Sequence, residues 1–237
     1  MDELSVVIPI YNEEKIIVPN LKKIEKYLQK GGGHYEIIAV NDGSNDGTLK
    51  QIQSLEHDHF KIVSYKKNQG KGYAVQQGVL AAKYENILFL DADLATPIEE
   101  LEKFIPHAAQ YDILIGSRSL DESKILNPQS FFRRTCGKIG KTMIKHLLVK
   151  NIHDTQCGFK LFKQKCAKDL FNKQKIKRWG FDFEIIFLAQ KFHYSVKEVP
   201  ILWYAGAESK LKTRDYFRTL FELIKLHIDF ALGRYSK

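Results

Sequence analysis

The sequence has few cysteines, no long hydrophobic run and no basic leader, and each of these features excludes a class of protein. Its three cysteines, Cys136, Cys157 and Cys166, show no Cys-x-x-Cys spacing, so neither a disulfide framework nor a zinc site is expected. Each is predicted to be a small buried apolar group in a reducing compartment. The apolar runs are far shorter than the roughly 18 residues needed to cross a bilayer, and Met-Asp-Glu-Leu is no basic signal peptide. The chain is therefore expected to be neither integral to a membrane nor exported.

The bulk composition is that of an ordinary soluble globular protein, with 237 residues, 44% of them hydrophobic and 27% charged. The net charge of +9 is unevenly distributed. Residues 118 to 178, called here the basic segment, contain 16 Lys and Arg against 4 Asp and Glu. Such a segment could face nucleic acid, an anionic membrane surface or simply water.

An apolar run followed by two acids is the most informative stretch of the chain. Residues 87 to 90 read Ile-Leu-Phe-Leu, as in a strand covered on both faces, and Asp91 and Asp93 follow at its carboxyl end. Side chains two apart in an extended segment point the same way, so the two carboxylates repel unless a cation or proton lies between them. Mg²⁺ or Mn²⁺, which prefer oxygen ligands, would resolve this repulsion. The alternative is that Asp91 merely ends the strand and Asp93 caps a helix.

A helix start is predicted directly after these acids. Thr96 can act as the N-cap, Pro97 suits the first helical position, and Glu99 completes a Thr-x-x-Glu capping box. This pattern predicts a helix over residues 97–110.

Strands and helices are predicted to alternate five times along the first half of the chain. The predicted strands span residues 4–10, 35–40, 60–65, 87–90 and 112–115, and each of the first four precedes a helical segment. This alternation predicts an α/β fold with a mostly parallel sheet flanked by helices. The loops that follow the strands should then share one rim of the sheet.

Polar residues after the predicted strands suit a nucleotide diphosphate with its metal. Backbone N–H groups and Lys71 would serve the phosphates, and Asp42 would serve donors of the base or ribose. Each of these signals is weak when taken singly, and Asn41-Asp42-Gly43 alone would be interpreted as a turn. The residues expected along the rim are Tyr11, Glu13, Asp42, Lys71, Asp91, Asp93 and Arg118.

Five ordered motifs resemble the signatures of family 2 glycosyltransferases with the GT-A fold. They are VVIPIYNEE (6–14), VNDGSNDGT (40–48), NQGKG (68–72), DAD (91–93) and GSR (116–118). The resemblance implies that Asp91 and Asp93 bind the metal and the ribose-diphosphate end of the donor. It implies a nucleotide-sugar site formed by Pro9, Tyr11, Glu13, Asp42, Lys71, Asp91, Ala92, Asp93 and Arg118.

The second half of the chain is similar to the polyprenyl-phosphate sugar transferases. The similar stretches are SFFRR (130–134), DTQCGFKLF (154–162), RWGFDFE (178–184) and ESKL (208–211), and they look closest to the dolichyl-phosphate glucosyltransferases. The resemblance implies that Arg134, with Arg133 beside it, meets the lipid phosphate and that Lys210 closes on the diphosphate. It places Asp154, Asp182 and Glu184 near the sugar and acceptor pocket. The residues it implies for catalysis are Asp93, Arg134, Asp154 and Lys210. One departure is Ala95, which stands where mannose synthases carry a metal-contacting Gln.

A phosphate acceptor changes the chemistry that is required. With a second pKa of about 6, a lipid phosphate is already mostly a dianion at neutral pH, so no general base is needed. The enzyme must supply alignment, a metal for the departing diphosphate and cations that hold one phosphate near another. The basic segment supplies such cations.

The resulting interpretation is an inverting glycosyltransferase that moves a hexose from a nucleotide sugar, most simply UDP-glucose, to a polyprenyl phosphate. Its expected partners are these two substrates and either the membrane surface at the cytoplasmic face or a membrane protein, and no nucleic acid. GDP-mannose as donor and a saccharide hydroxyl as acceptor are the alternatives among enzymes. A basic nucleic-acid-binding module, suggested by the pI of 9.2, is the alternative outside them.

The C-terminal stretch predicts an amphipathic helix over residues 216–232. Its apolar stripe could pack on the core or lie in a membrane interface. The members of the stripe are Phe217, Leu220, Phe221, Ile224, Ile228 and Ala231. The whole chain is interpreted as one domain, 1–237, with a nucleotide-sugar half (1–118), an acceptor half (119–211) and this helix (212–237).

Overall fold

A computed structural model describes residues 1–126, 151–204 and 213–235, with 213–217 described by backbone alone. The strands are β1 Glu3–Ile10, β2 His34–Asn41, β3 Phe60–Ser64, β4 Asn86–Leu90, β5 Ile113–Ser117, β6 Lys124–Leu126, β7 Phe159–Lys163, β8 Val196–Pro200 and β9 Leu202–Tyr204. The helices are α1 Ile17–Gly31, α2 Thr48–Gln53, α3 Lys71–Ala81, α4 Gln164–Lys173, α5 Phe181–Lys191 and α6 Thr213–Ala231.

Seven strands form one sheet in the order β3-β2-β1-β4-β7-β5-β8. Every neighbouring pair is parallel except the two that include β7, which runs antiparallel to β4 and β5. The mostly parallel sheet predicted from the sequence is confirmed. The shared rim is confirmed as well, because the carboxyl ends of β1, β2, β4 and β5 lie at one edge, called here the carboxyl edge.

Two apolar layers cover the faces of this sheet, and the period of two along each strand divides the residues between them. In β1, Val7 joins the layer made with α3, α4, α5 and α6. Its neighbours Val6 and Ile8 join the layer made with α1, α2 and the segment after β4. Because both faces are buried, the central strands are continuous apolar runs, which is why they could be predicted from the sequence.

Strand β7 is the element that shapes the carboxyl edge most. Since it runs against β4, its first residue, Phe159, pairs with the last residue of β4, Leu90. The residue before it, Gly158, is therefore placed directly against the two acids that follow β4. A strand from the predicted acceptor half thus lies between two strands of the predicted nucleotide half.

The prediction of a helix over residues 97–110 is wrong. Two short 3₁₀ segments, Ile98–Lys103 and Ile105–His107, replace it. Pro106 accounts for the break, because proline lacks an N–H and its ring clashes with the carbonyl four residues earlier in an α-helix.

The predicted capping box is also absent. The first 3₁₀ segment follows Pro97 and has no side-chain cap. Thr96 is buried with its hydroxyl 4.0 Å from the Cys157 sulfur, and Glu99 instead forms an ion pair with Lys23 at 3.3 Å. Burial of Thr96 therefore removes its hydroxyl from the position that a cap requires.

The predicted C-terminal helix is confirmed as α6, but its stripe does not face the core. Leu223 and Leu226 make the buried contacts, whereas Phe221, Ile224 and Ile228 are exposed. Phe217 lies outside the described side chains. Within the described residues, no helix combines the length and the apolar character needed to span a bilayer.

The prediction of buried cysteines is confirmed where it can be checked. Cys157 and Cys166 are buried free thiols, and Cys136 lies outside the described residues. Burial raises the pKa of Cys157 to about 11, so its thiol stays protonated at neutral pH and is not a nucleophile.

Candidate active site

Asp91 lies at the end of β4 and is held from two sides. Its Oδ1 is 2.7 Å from the Lys71 Nζ, and its backbone N–H donates to the Gly158 carbonyl at 3.0 Å. A Cβ added to Gly158 would overlap the Asp91 carboxylate, so only glycine lets β7 approach this closely. The Asp91 side chain keeps 30% of its surface exposed, which leaves it reachable by a ligand.

Lys71, the first residue of α3, is surrounded by acids and aromatic rings. Its Nζ lies 5.3 Å from the ring centroid of Phe89 and 5.4 Å from that of Trp179, within cation–π range. Burial alone would lower the pKa of Lys71, but the Asp91 carboxylate, with Asp182 and Asp93 farther off, raises it above its ordinary value. Lys71 is therefore a fixed positive charge at the carboxyl edge.

Asp93 sits in a tight turn that exposes it. Its Oδ1 accepts a hydrogen bond from the Ala95 N–H at 3.0 Å. The next residue, Leu94, has a φ of +51°, in the left-handed region that branched or bulky side chains seldom adopt. Such local strain is typical of functional sites. The Ala92 carbonyl accepts from the Asn20 side chain at 2.8 Å, which ties this turn to α1.

The donor set at this turn fits a divalent cation that arrives with a diphosphate. The described residues contain no group of three or more His, Cys, Asp and Glu side chains that could hold a metal ion. Mg²⁺ nevertheless commonly takes only one or two carboxylate ligands from the protein, and substrate phosphates and water complete its coordination shell. Asp91 and Asp93 can provide these two carboxylate ligands.

A second ion pair is buried beneath the first. Lys160, in β7, contacts the carboxylate of Asp182 in the first turn of α5, and the two residues are only 1% and 3% exposed. Burial raises the pKa of Asp182 although the cations of Lys160 and Lys71 act in the opposite direction. Lys160 also donates to the Cys157 carbonyl at 2.7 Å, which fixes the chain just before Gly158.

A third ion pair joins the end of β5 to the chain before β7. Arg118 donates through Nε and Nη2 to the two oxygens of Asp154, at 2.6 and 2.8 Å. Asp154 is fully buried, and Glu198 in β8 accepts its backbone N–H at 2.9 Å. Burial would lower the pKa of Arg118, but Asp154 raises it well above its ordinary value. The Arg118 guanidinium also lies 5.2 Å from the ring centroid of Trp203.

Asp42, after β2, organises the loop before α3. Its carboxylate accepts from the Asn68 side chain at 2.8 Å and from the backbone N–H groups of Gln69 and Gly70 at 2.7 and 2.9 Å. It is 2% exposed. Gly70 has a φ of +111°, and a Cβ there would meet the Lys177 carbonyl at 2.5 Å, so this loop requires glycine.

The remaining nucleotide-site candidates lie where the sequence predicted. Pro9 lies in β1, paired with Val40, and Tyr11 and Glu13 follow the strand. The Glu13 N–H donates to the Thr48 hydroxyl at 2.9 Å, which ties the loop after β1 to the start of α2.

Three predicted residues, Arg133, Arg134 and Lys210, lie outside the described residues. The strands from which their segments depart can be placed, because β6 and β9 pair in parallel with Leu126 opposite Tyr204. The Tyr204 N–H donates to the Ala95 carbonyl at 2.7 Å. The small β6–β9 sheet is therefore anchored beside the turn that carries Asp93.

Glu184, predicted near the acceptor pocket, has a structural environment. It accepts hydrogen bonds from the backbone N–H groups of Lys175 and Ile176, each at 2.9 Å, and from the Tyr235 hydroxyl at 2.6 Å. Burial raises the pKa of Glu184 to about 7, against the effect of these donors.

Sequence reasoning missed Gly158, Lys160 and Trp179 as parts of this site. Lys160 carried a usable signal, since a lysine within the apolar run Phe-Lys-Leu-Phe predicts a buried charge that needs a partner. Gly158 carried none, because its role depends on which strand lies beside it.

Comparison with known proteins agrees with the motifs. Residues 5–171 match the sequence profile of the family described as Glycosyl transferase family 2. The chain is 38% identical to the dolichyl-phosphate beta-glucosyltransferase of Mus musculus, over 88% of this chain and 69% of that protein. It is 32% identical to the protein of the same name from Saccharomyces cerevisiae, over 98% of this chain and 76% of that one.

Solved structures show the same fold at low identity. The glucosyl-3-phosphoglycerate synthase of Mycobacterium tuberculosis, solved with Mn²⁺, UDP and its product, is 16% identical with a TM-score of 0.67, over 96% of this chain and 79% of that one. The mannosyltransferase PcManGT of Pyrobaculum calidifontis, solved with GDP-Man and Mn²⁺, is 18% identical with a TM-score of 0.62, over 97% and 64%. The predicted GT-A architecture is thus confirmed.

Proposed function

The chain belongs to glycosyl transferase family 2, and on this premise we propose that it transfers glucose from UDP-glucose to a dolichyl or related polyprenyl phosphate. The observation that carries the proposal is the pair Asp91 and Asp93 at the end of β4, with Lys71 fixed against the first acid at 2.7 Å. The relatives named for this reaction, at 32% and 38% identity, supply the substrate classes.

The acids and cations of the carboxyl edge have distinct roles in this proposal. Asp91 and Asp93 would hold Mg²⁺ or Mn²⁺, which when bound neutralises charge on the departing diphosphate. Lys71 lies beside Asp91 and is positioned to contact a diphosphate oxygen. Asp42 orders the loop before α3, and we place the nucleotide along this loop and beside Pro9, Tyr11 and Glu13 on the rim.

The environment of the buried acids favours a phosphate acceptor over a hydroxyl. A general base must reach the proton that it removes, within about 3 Å. Asp154 is bound through both oxygens by Arg118, and Asp182 is buried against Lys160. Since a phosphate dianion needs no base, these two acids can serve as supports for the cations rather than as proton acceptors. Direct attack of such a dianion on the anomeric carbon inverts its configuration.

The acceptor phosphate requires cations opposite the metal site. We assign this task to Arg133 and Arg134, and the closing contact on the diphosphate to Lys210. The support for this assignment is that β6 and β9 are anchored beside Ala95. The segment with Arg133 and Arg134 follows β6 in the sequence, and the segment with Lys210 follows β9. On this account residues 1–118 serve mainly the donor and residues 119–211 mainly the acceptor, with Asp154 linking the two through Arg118.

The place of action follows from the acceptor. A polyprenyl phosphate resides in a membrane, so the enzyme works at a membrane surface, and a nucleotide-sugar donor places it at the cytoplasmic face. We propose that a surface of this chain or a membrane protein brings it there.

Transfer of label into a lipid phase tests the proposal. The protein is incubated with a panel of labelled nucleotide sugars, a polyprenyl phosphate and Mn²⁺ or Mg²⁺. Label from UDP-glucose is expected to move into the organic phase and to be lost in Asp93→Asn. Label from GDP-mannose alone would assign a different donor, and transfer only to a water-soluble saccharide would contradict the lipid acceptor.

A further inference from the structure

Helix α6 presents an apolar stripe to the outside of the molecule. Phe221, Ile224, Ile228 and Leu232 are 66%, 52%, 53% and 61% exposed, and Leu220 adjoins them at 38%. Phe221, Ile224, Ile228 and Leu232 recur at spacings of three and four residues and so lie along one side of the helix. Burial of apolar side chains is favourable in proportion to the area removed from water, so a continuous exposed stripe indicates a surface that another body covers.

The exposed stripe is not the side of α6 that packs on the core, because the opposite side of the helix already makes those contacts. Leu223 and Leu226 are 3% and 1% exposed, and Phe230 packs edge-on against Phe187 of α5 with ring centroids 5.2 Å apart. The Tyr235 hydroxyl, just past the helix, donates to Glu184. The helix is therefore already docked, and its outer side is a separate surface.

The exposed charges within residues 218–235 have one sign. Among residues 218–235, every exposed charged side chain is cationic. The two acids of the segment are turned inward: Asp229 is 3% exposed and accepts from Lys225 and Arg234, and Glu222 accepts from Arg218 at 3.2 Å. The three cationic side chains themselves remain 53% to 55% exposed.

Helix α6 passes close to the candidate active site. Glu222 lies against Gly180, where an added Cβ would meet its Oε2 at 2.5 Å. Gly180 directly precedes α5 and follows Trp179, whose ring lies under the Lys71 ammonium. A body that covers α6 would therefore adjoin the rim at which the acceptor must arrive.

We propose that the outer side of α6 docks on an anionic membrane surface, with Phe221, Ile224 and Ile228 inserted at the boundary of headgroups and acyl chains. Residues 218–235 show apolar side chains flanked by exposed cations, with no exposed acid among them, which is the pattern of an interfacial helix. A second copy of the chain fits less well, because pairing two such faces would bring cations together. This inference rests on the proposed function, since it explains how a chain with this acceptor reaches its lipid.

Vesicle cosedimentation tests the docking. The full chain is mixed with vesicles of phosphatidylcholine alone or of phosphatidylcholine with phosphatidylglycerol, without substrates. Wild type is expected to bind the anionic vesicles more tightly, and the double substitution Phe221→Ser with Ile224→Ser to weaken that binding at least about tenfold. Lys225→Gln should weaken it about fivefold, with a smaller salt dependence.

A matched control separates the surface from general stickiness. Ile105 is 42% exposed and lies in the second 3₁₀ segment, so Ile105→Ser removes a comparable exposed side chain elsewhere. It should leave vesicle binding unchanged. Equal binding by wild type and the α6 double variant would overturn the proposal, as would a wild-type dimer without vesicles that the same substitutions convert to monomer.

Activity on a short, water-soluble isoprenyl phosphate distinguishes this inference from the proposed function. The α6 double variant should retain wild-type turnover on the soluble acceptor and lose turnover on acceptor embedded in vesicles. Loss of both would overturn the docking role. A wild-type protein that binds vesicles through α6 but transfers glucose to neither acceptor would support the docking and refute the proposed function.

Discussion

Acids are buried both at the carboxyl edge of the seven-stranded sheet and at the opposite ends of the strands, called here the amino edge. The groups that contact the buried acids differ between the two edges. At the amino edge Glu36 is fully buried in β2, where it accepts from the Ser5 hydroxyl at 2.6 Å and the Lys83 N–H at 2.7 Å. Burial would raise the pKa of Glu36, but these hydrogen bonds and the Lys61 ammonium lower it below its ordinary value. The other carboxylate oxygen of Glu36 lies 2.9 Å from the Lys61 ammonium, so we interpret this acid as structural.

At the carboxyl edge the partners are cationic side chains that are themselves enclosed. Lys71, Lys160 and Arg118 hold Asp91, Asp182 and Asp154. Asp91 and Asp93 are the acids closest to solvent. The cations lie behind them but leave both carboxylates accessible to a ligand. The comparison teaches that the arrangement of charge, rather than cavity size, marks the site. A cavity of about 720 Å³ in fact opens toward the amino edge, beside Leu4 and Tyr35.

The largest effect is expected for Asp93→Asn. The amide keeps the shape of the turn but removes a charged metal ligand, so turnover should fall about 10³-fold while the unfolding midpoint in urea stays within error. Steady-state transfer assays and urea titrations measure the two quantities. Glu122→Gln, an exposed acid after β5, is the matched control and should change neither. Near-normal turnover in Asp93→Asn would remove this acid from the site.

Lys160→Met should be the most destabilising change at the carboxyl edge. It leaves Asp182 buried without its cation, at a cost of about 3 kcal/mol in the free energy of unfolding. Lys163→Met, in the same strand but half-buried and paired with the exposed Glu85, should cost less than about 1 kcal/mol. Equal losses for the two lysines would contradict the buried pair.

The same variant should also change the pH dependence of stability. Without Lys160 the pKa of Asp182, already raised by burial, should rise further above the value of about 3.9 in the unfolded chain. The folded state then binds the extra proton, so stability falls as pH increases through the window between the two values. The deficit of Lys160→Met should therefore be larger at pH 8 than at pH 5, and the added change Asp182→Asn should remove that dependence.

Gly158→Ala tests how closely β7 must approach Asp91. The added methyl overlaps the carboxylate and should displace it, with a loss of turnover of about 10²-fold. The accompanying loss of stability should be about 1 to 3 kcal/mol. Gly31→Ala, where an added Cβ meets nothing within 4 Å, is the control. Unchanged turnover in Gly158→Ala would show that Asp91 need not be held in this position.

Glu36→Ala should produce the smallest effect, and only on stability. It leaves the Ser5 hydroxyl and the Lys83 N–H buried without an acceptor, at a cost of about 2 kcal/mol. Turnover per folded molecule should be that of wild type, because this edge takes no part in the reaction. A fall in turnover without a fall in stability would erase the distinction between the two edges.

The elements that could be predicted from the sequence are the strands that are buried on both faces of the sheet. The central parallel strands are apolar on both faces, so their runs and the acids at their ends are visible without knowing the neighbours. The direction of β7 is not visible in this way, and the positions of Gly158 and Lys160 depend on it. The pairing of Lys160 with Asp182 joins residues far apart in the chain through that same strand.

Helix α6 illustrates a second limit. The helix is apolar on two sides, with Leu223 and Leu226 on one and Phe221, Ile224 and Ile228 on the other. The spacing of apolar residues identifies the longer stripe. It does not show which side of the helix packs on the core, because that is decided by the position of α5. The 3₁₀ segments after β4 are different, because Pro106 in the sequence by itself argues against a continuous helix over residues 97–110.

The central claim is that Asp91 and Asp93 bind a divalent cation together with the donor's diphosphate, and calorimetric titration of UDP tests it most directly. UDP is titrated into wild type and Asp93→Asn, each with and without Mn²⁺. Mn²⁺ should tighten UDP binding to wild type and leave binding to Asp93→Asn nearly unchanged. Equal enhancement by Mn²⁺ in the two proteins would contradict the claim.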